Sequence, residues 1–420
     1  MDYKQKYLKY KQKYLRFLKD QKGGEPFLID LQAKQAYLWL FAKNQRELEF
    51  IFTGRSIRPT PPLGNITLNH QYRISLLAKG SLPVFLAFRL VGSGNQRLAK
   101  CIMSRVHKVL HISPPTCVAT IPTTDVKLVA FHPTLHILAT GIHDTTMKLW
   151  DYTNQQNPIL KTVLQSSSFA FHSTLPLLAS ASYDRIVKLW DYTNAQVPTL
   201  VANLQPKHTN GVTSVAFHPT LPLLASSSKD RTVKLWNYSQ NPPTFIANLT
   251  GHTNYVYSVA FHPTLPILAS GSEDATVKLW NYSNPIPFIT DLQPGHTHWV
   301  TSVAFHPTLP LLASGSVDRT VKLWDCSDPQ NTREVAKLTE HTSDVTSVAF
   351  HRTLPLLASS SIDGTVKLWD CSTPQNPTLV ANLTDHTRGV ISVAFHPTLL
   401  ILATSSTDGT VKLWQYKIYL

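Results

Sequence analysis

Cysteine is scarce in this chain, which has four among 420 residues, and none of the four shows the short spacing of a metal site. Cys326 and Cys371 each stand two residues after a tryptophan, so duplication of sequence explains them better than disulfide pairing does. Cys101 and Cys117 have no such counterparts. This usage indicates a reducing compartment, and we expect an intracellular protein, cytoplasmic in the simplest case.

Long apolar runs and the usual catalytic motifs are missing too. No stretch of about 18 apolar residues exists to span a membrane, and the N-terminus is too charged for a secretory signal. No Gly-rich phosphate loop, paired carboxylates or Cys-x-x-Cys motif is present. We therefore expect a non-enzyme with no cofactor, no bound metal and no small-molecule substrate.

Residues 251–281 have the pattern of three short strands joined by two turns. YVYSVAF alternates in polarity, and LPILASG and ATVKLW are rich in β-branched and large aliphatic side chains. The prolines of HPTLP mark one turn, and the polar SEDA closes a hairpin. PFITDL at 287–292 predicts a fourth strand. One such unit cannot bury both of its faces, so it needs copies of itself on either side.

Seven copies are present, each with a tryptophan at the end of its third strand. The spacings are 40, 46, 44, 44, 45 and 45 residues, between Trp150, Trp190, Trp236, Trp280, Trp324, Trp369 and Trp414. A Gly-His pair opens the unit at Gly251-His252 and Gly295-His296, and Trp-Asp closes four copies, as at Trp324-Asp325. Over about residues 117–414 the chain resembles the WD40 repeat family.

This resemblance implies an all-β fold, a seven-bladed WD40-like β-propeller over residues 116–420. Residues 117–122, CVATIP, align with the fourth-strand segments VANL at 201–204 and 380–383. The chain runs only six residues past Trp414, which leaves no room for a fourth strand in the last repeat. We therefore expect residues 117–122 to complete the last blade, which is how propellers of this family usually close.

The family also carries a buried network of His, Ser or Thr, Asp and Trp in each blade, which satisfies four polar groups at once. Carried over by position, the set is complete five times: His208, Ser226, Asp230 and Trp236; His252, Ser270, Asp274 and Trp280; His296, Ser314, Asp318 and Trp324; His341, Ser359, Asp363 and Trp369; and His386, Thr404, Asp408 and Trp414. The first two repeats lack the His, which leaves their geometry open. They keep Thr140, Asp144 and Trp150 in one repeat, and Ser180, Asp184 and Trp190 in the other.

Two chemical alternatives arise from the histidines. The His–Asp–Ser sets resemble a hydrolase triad, but a catalytic constellation is needed once, and fivefold repetition argues against it. A second series recurs in the turn after each first strand: His132, His172, His218, His262, His306, His351 and His396. Neighbouring blades would hold these imidazoles too far apart to share a metal at about 2 Å, so copied turn residues are favoured.

The basic excess lies ahead of the repeats. Residues 1–116 hold 20 Lys and Arg against 6 Asp and Glu, and the rest of the chain is balanced, so the whole formal charge of +14 belongs to the front. The heptad YKQKYLK at 3–9 returns as YKQKYLR at 10–16, and residues 1–22 predict a basic amphipathic helix. This head resembles the Lys/Tyr-rich head on many proteins of giant DNA viruses, which would put the protein in host cytoplasm.

Several roles are open for this head. It could be a solvated helix that caps the chain, or dock on a partner helix, or meet a polyanion, nucleic acid or an anionic membrane surface, through residues 1–20. Residues 23–115 predict a mostly helical or irregular segment. Residues 27–52 predict a buried helix followed by another helix or a strand, and two short helices are expected before Pro114-Pro115. Leu82-Pro83 resembles the start of an F-box, although Gly92 and Gly94 fall where that module is helical.

Residues that differ between repeats are not required for the core that all the blades share. They cluster after the network His and before the network Asp, positions that the resemblance places on the top face around the central channel. The candidate binding residues are Asn210, Lys229, Tyr255, Tyr257, Glu273, His298, Trp299, Ser343, Asp344, Arg388, His143 and Tyr183. Trp299 stands out because an exposed indole is a frequent hot spot.

The function expected from this reading is a non-catalytic interaction scaffold. The propeller would bind a peptide or protein on its top face, and the basic front segment would anchor the chain. Two alternatives are a substrate adaptor of a ubiquitin ligase and a tether to nucleic acid or membrane through the head.

Overall fold

A computed structural model of the chain describes residues 36–40, 72–77, 85–90, 111–142, 146–166, 168–193, 198–283 and 288–419. The chain divides into two compact units, Met1–His111 with Ile418–Leu420, and Ile112–Lys417. Among the described residues, no helix has the length and apolar character needed to cross a membrane.

The described part of the first unit contains a small antiparallel sheet. Its strands are Ala36–Leu40, Tyr72–Leu77 and Phe85–Leu90, and the second strand pairs with both others. Two further strands of two residues each are His111–Ile112 and Ile418–Tyr419. The prediction of a mostly helical segment is wrong at the three longer strands, and Phe85–Leu90 also occupies the place of the F-box helix. These apolar runs of five or six residues are too short for periodicity to distinguish helix from strand. The predicted head helix lies outside the described residues.

The second unit consists of seven four-stranded antiparallel sheets, the blades, numbered in chain order. Blade one has strands Val126–Phe131, Ile137–Ile142, Thr146–Asp151 and Ile159–Gln165. Blade two has Ser168–Phe171, Leu177–Ala181, Val187–Asp191 and Thr199–Asn203. Blade three has Val212–Phe217, Leu223–Ser228, Thr232–Asn237 and Thr244–Thr250.

The remaining blades repeat this plan. Blade four has Val256–Phe261, Ile267–Ser272, Val277–Asn281 and Phe288–Asp291. Blade five has Val300–Phe305, Leu311–Ser316, Val321–Asp325 and Arg333–Leu338, with a 3-10 turn at Pro329–Asn331. Blade six has Val345–Phe350, Leu356–Ser361, Val366–Asp370 and Thr378–Leu383. Blade seven has Val390–Phe395, Ile401–Ser406, Thr410–Gln415 and, from the start of the unit, Thr116–Pro122.

The hydrophobic core lies between neighbouring blades, because each sheet is apolar on both faces. In the cluster between blades four and five, Ile267 and Leu279 of one sheet pack with Val300, Leu312 and Trp324 of the next. The second strands are buried almost throughout, as in Ile267–Ser272. The blades therefore stabilise one another as stacked repeats do, and a single blade has no core of its own.

The ring closes between blades seven and one. Thr116–Pro122 pairs with Thr410–Gln415 as the fourth strand of blade seven, which is the place expected for residues 117–122. The amide of Val129 in blade one donates to Ser392 Oγ in blade seven at 3.2 Å. The same bond joins blades four and five, where Val303 N donates to Ser258 Oγ at 3.1 Å. Closure buries the facing surfaces of blades seven and one, where Val126 and Val129 pack with Ile401 and Leu413.

Candidate functional site

The two ends of the sheets carry different kinds of turn. In an antiparallel meander, the turn between strands one and two and the turn between strands two and three lie at opposite ends of the sheet. We call the end with the second-to-third turns, such as residues 228–232, the top face. The end with the first-to-second turns, such as residues 218–222, is the bottom face.

The predicted polar network stands directly beneath the top-face turns. In blade four, Trp280 Nε1 donates to Ser270 Oγ at 2.8 Å, Ser270 Oγ lies 2.7 Å from His252 Nε2, and His252 Nδ1 lies 2.8 Å from Asp274 Oδ2. Because the carboxylate only accepts, the neutral imidazole carries its proton on Nδ1, and Nε2 accepts from the hydroxyl that the indole donates to. The network of this blade is therefore complete, as the family pattern predicts.

Blades five, six and seven repeat this chain of contacts through their own hydroxyl groups. Ser314 Oγ accepts from Trp324 Nε1 at 2.8 Å and lies 2.7 Å from His296 Nε2. Ser359 Oγ accepts from Trp369 Nε1 at 2.9 Å and lies 2.8 Å from His341 Nε2. Thr404 Oγ1 accepts from Trp414 Nε1 at 2.9 Å and lies 2.7 Å from His386 Nε2. The Nδ1 atoms of the three histidines lie 2.8, 2.9 and 2.8 Å from the carboxylates of Asp318, Asp363 and Asp408.

The hydroxyl groups at the centre of the networks lie inside the blades, out of reach of a partner. Each of the five residues that carry them is 0% exposed: Ser226, Ser270, Ser314, Ser359 and Thr404. A buried hydroxyl needs hydrogen-bond partners within the protein, and the histidine and tryptophan of the same blade provide them in four of these blades. These serine and threonine residues therefore support the fold and form no part of a binding surface.

Blade three departs from the expected set at its tryptophan. His208 contacts Asp230 and Ser226, each at 2.7 Å. The buried Nε1 of Trp236, however, has no hydrogen-bond partner among the described residues. The expectation of a complete network in this blade is therefore wrong at the indole.

Blades one and two keep the indole contact without the His. Trp150 Nε1 donates to Thr140 Oγ1 at 3.0 Å, and Trp190 Nε1 donates to Ser180 Oγ at 2.7 Å. Asp184, which has no imidazole beside it, accepts instead from Lys188 Nζ at 2.9 Å. Its counterpart Asp144 lies outside the described residues.

Two further side chains hold each network aspartate, and sequence reasoning missed both. In blade four, Thr276 Oγ1 donates to Asp274 Oδ1 at 2.6 Å, and the Asp274 amide donates to Ser272 Oγ at 3.1 Å. The signal was available, because Ser-x-Asp-x-Thr recurs at residues 228–232, 272–276, 316–320, 361–365 and 406–410. Burial acts to raise the pKa of Asp363, but hydrogen bonds from Thr365 and His341 outweigh it and lower that pKa to about 2.

The bottom-face histidines are buried turn residues. His218 Nδ1 accepts from the Leu221 amide at 2.8 Å, and its Nε2 lies 2.8 Å from the hydroxyl of Tyr282 in the next blade. His396 and Tyr152 make the same contact at 2.7 Å across the closing seam. Within the described part of the chain, no group of three or more potential ligands is placed to hold a metal ion. These imidazoles therefore close turns, and those of His218 and His396 also join blades by a hydrogen bond. The buried Nε2 atoms of His262, His306 and His351 have no such partner among the described residues.

The top-face turns bring the variable residues of each blade together. The residue before the network Asp donates its amide to the carbonyl of the residue before the first strand, as Lys229 does to Gly211 and Glu273 to Tyr255. The same pairing recurs from Val317 to Trp299, from Ile362 to Asp344 and from Thr407 to Gly389. The network thus fixes a turn whose outer side chains are free to differ.

Aromatic and basic side chains from blades one to four meet on this face. Lys127 Nζ donates to the Tyr183 hydroxyl at 3.0 Å and lies 5.0 Å from the ring centroid. Lys229 Nζ lies 5.1 Å from the Tyr183 centroid and 5.6 Å from the Tyr255 centroid. The hydrogen bond from Lys127 lowers the pKa of Tyr183. Sequence reasoning missed Lys127, although it stands where blades three, five and six have Thr213, Thr301 and Thr346.

The contacts continue into blade five. Tyr257 donates to Glu273 Oε2 at 2.8 Å, and its ring centroid lies 6.2 Å from that of Trp299. Trp299 also contacts the His298 ring at 5.3 Å and is still 41% exposed. Burial raises the pKa of Tyr257, and the hydrogen bond to Glu273 raises it further. We call Lys127, Tyr183, Lys229, Tyr255, Tyr257 and Trp299 the aromatic–lysine cluster.

The other described candidates lie in the same top-face turns, and three of them accept hydrogen bonds through the main chain. The carbonyl oxygens of Asn210, Ser343 and Arg388 accept from the serine hydroxyls of Ser228, Ser361 and Ser406 at 3.0, 3.1 and 3.1 Å. His143 lies outside the described residues. The structure therefore brings together five of the candidates, Tyr183, Lys229, Tyr255, Tyr257 and Trp299, and bonds Glu273 to one of them.

Comparison with known proteins agrees with this architecture. The family described as WD domain, G-beta repeat matches seven segments, at residues 115–151, 162–191, 199–237, 243–281, 288–325, 332–370 and 377–415. Each segment covers one repeat unit, and together they span more than half of the chain. Comparison with curated proteins gives no match. With seven matched repeats folded into seven blades, the chain belongs to the WD domain, G-beta repeat family.

Proposed function

We propose that this protein is a non-catalytic interaction scaffold whose propeller binds a peptide or protein through the aromatic–lysine cluster. The observation that carries the proposal is the exposed pair of rings on the top face. Trp299 and Tyr183 keep 41% and 44% of their surface exposed, although neighbouring side chains contact both of them. Large aromatic groups that remain exposed beside polar side chains are typical of binding hot spots.

The scaffold beneath the cluster supports this role. The buried networks hold the turns of blades three to five in one geometry, so the main chain that carries Lys229, Tyr255 and Trp299 needs little ordering when a partner binds. The fivefold repetition of the same His, Asp and Ser groups argues for support and against catalysis. WD40 propellers commonly serve as interaction scaffolds, and this chain has their architecture.

The test is affinity capture from a cell extract with the full chain and two variants. The double substitution Trp299→Ala and Tyr257→Ala should weaken partner binding by about 2 kcal/mol or more, since hot-spot residues contribute on that scale. Leu221→Ala, which removes a side chain 44% exposed on the bottom face, should leave capture unchanged. Thermal melting of each variant monitors the fold. Equal capture by the double variant and the wild type would contradict the proposal.

We propose in addition that the basic front segment anchors the chain to a polyanion. The support is compositional, since residues 1–116 carry 20 basic against 6 acidic side chains. In the full chain, glutamine at Lys4, Lys6, Lys11 and Lys13 should weaken binding to anionic lipid vesicles or to duplex DNA and reduce its salt dependence. Absence of binding to both probes at low salt would show that the charge only solvates the segment.

A further inference from the structure

Lys127 and Lys229 place two ammonium groups around one tyrosine ring. The Lys127 Nζ lies 3.0 Å from the Tyr183 hydroxyl, at the outer end of the ring. The Lys229 Nζ lies 5.1 Å from the centroid of the same ring and also faces Tyr255. The two ammonium groups repel each other, and an opposite charge between them would offset that repulsion. The π face of the ring attracts each ammonium group only weakly. The ring alone is therefore a poor counterpart for both ammonium groups.

The Tyr183 ring, which both lysines contact, packs against the main chain at Gly211. A Cβ atom on Gly211 would stand 2.8 Å from Cδ1 of Tyr183, so the tyrosine lies directly against the main chain of blade three. The Gly211 carbonyl in turn accepts from the Lys229 amide at 2.9 Å. The ring and the main chain that carries Lys229 thus pack against each other, and Lys127 reaches the same ring from the first strand of blade one.

Neither ammonium group has a carboxylate partner in the described part of the chain. Lysines elsewhere in the propeller do, since Lys188, Lys278 and Lys322 pair with Asp184, Asp291 and Glu334. The carboxylates next to the cluster in sequence have other partners, since Asp184 pairs with Lys188 and Asp230 with His208. Glu273 accepts from the Tyr257 hydroxyl at 2.8 Å. The cluster therefore presents a positive charge that its own side chains leave without an ionic partner.

We propose that this pair of lysines receives the carboxylate of an aspartate or glutamate side chain in an acidic peptide. The inference rests on the proposed function and specifies its ligand. The aromatic side chains of the neighbouring blades, Tyr255 beside Lys229 and Tyr257 with Trp299, would take apolar residues that flank the acidic one. Two ammonium groups attract any compact anion, a phosphate included. We name a carboxylate because it is the anion that the side chains of an unmodified peptide carry.

The experiment is a selection of short random peptides, displayed on phage, against the full chain. We expect enriched sequences to carry Asp or Glu beside an aromatic or aliphatic residue. The double variant Lys127→Gln and Lys229→Gln should lose the acidic preference, and the control Lys207→Gln, an exposed lysine outside the cluster, should keep it. Thermal melting checks that both variants fold.

Direct titration of an enriched peptide then separates the possible results. Replacing its acidic residue by glutamine should weaken binding to the wild type about tenfold, with no further loss for the double lysine variant. Enriched peptides without acidic residues, whose binding needs Trp299 but not the lysines, would overturn this inference and leave the proposed function standing. A phosphoserine in place of the acidic residue that binds far more tightly would overturn the choice of carboxylate. Failure to enrich any peptide would count against both proposals.

Discussion

Tyr183 lies so close to Gly211 that the glycine cannot take a side chain without moving the ring, since a Cβ would stand 2.8 Å from Cδ1. The equivalent contact between blades six and seven joins Ile362 to Gly389, where a Cβ would stand 3.0 Å from Cδ1 of the isoleucine. In both places the residue before the network Asp of one blade packs against the residue before the first strand of the following blade. The two sites share one geometry, and only the first carries the lysines.

This pair of glycines gives a matched prediction about binding. Gly211→Ala should displace Tyr183 and with it both ammonium groups, and should weaken binding of a selected acidic peptide about tenfold. Gly389→Ala makes the same change at the other site and should leave that affinity unaltered. Fluorescence titration of labelled peptide measures both. Equal effects of the two substitutions would show that Tyr183 has no special part in recognition.

Removing one histidine of the polar network should destabilise the propeller. His252→Ala leaves the buried carboxylate of Asp274 without its imidazole and Ser270 without an acceptor, which should lower the free energy of unfolding by roughly 3 kcal/mol. His298→Ala, at an exposed position just before the first strand of blade five, should change the free energy of unfolding by less than about 0.5 kcal/mol. Urea denaturation of the full chain measures the difference. A loss for His252→Ala as small as that of the control would contradict a structural role for the network.

Several blades place a side chain where the backbone favours glycine. The residue after the network Asp has a positive φ in each of these turns, of 70° at Arg231 and 71° at Arg319, against 84° at Gly364. Arg231→Gly should therefore stabilise the protein by up to about 1 kcal/mol, whereas Arg231→Gln, which keeps the strain, should not. Gly364→Ala should cost about 1 kcal/mol or more. Thermal melting of the three variants tests the order, and a stabilising Gly364→Ala would contradict it.

The bottom-face histidines predict how stability depends on pH. Burial lowers the pKa of His132, His262, His306, His351 and His396 from 6.5 to about 4. Between these values the unfolded chain binds protons that the folded chain does not, so stability falls as pH drops from 6.5 towards 4 and is constant just above 6.5. The urea midpoint measured across this range should follow that curve, and His306→Gln should flatten it. A urea midpoint that stays the same between pH 6.5 and pH 4 would contradict the lowered pKa of these histidines.

Repetition explains which parts of this structure were predictable from the sequence. The seven tryptophans at near-constant spacing predict the blades, and the alignment of CVATIP with VANL predicts the strand Thr116–Pro122 in blade seven. The His–Asp contacts follow the family pattern in every blade that has the histidine. Each of these features occurs in several copies of the repeat, so the other copies indicate the structure where the pattern of one copy is ambiguous.

Features that occur once were harder to predict. Phe85–Leu90 is a short apolar run whose choice of strand depends on its pairing with Tyr72–Leu77, a contact that the sequence does not report. The Lys127–Tyr183 contact joins blades one and two, and it depends on how neighbouring turns face each other. Trp236 lacks the bond that its counterparts make, although its repeat has the same residue types. Such details depend on tertiary packing more than on local pattern.

The central claim is that a partner binds over the aromatic–lysine cluster, and site-specific photo-cross-linking tests it most directly. A benzophenone amino acid replaces His298, an exposed neighbour of Trp299, in one full-length variant and Leu175, 47% exposed on the bottom face, in another. With an acidic peptide from the selection, the account predicts a cross-link at position 298, none at position 175, and loss of the first when Lys127→Gln and Lys229→Gln are added. A cross-link at position 175 but not at 298 would contradict it.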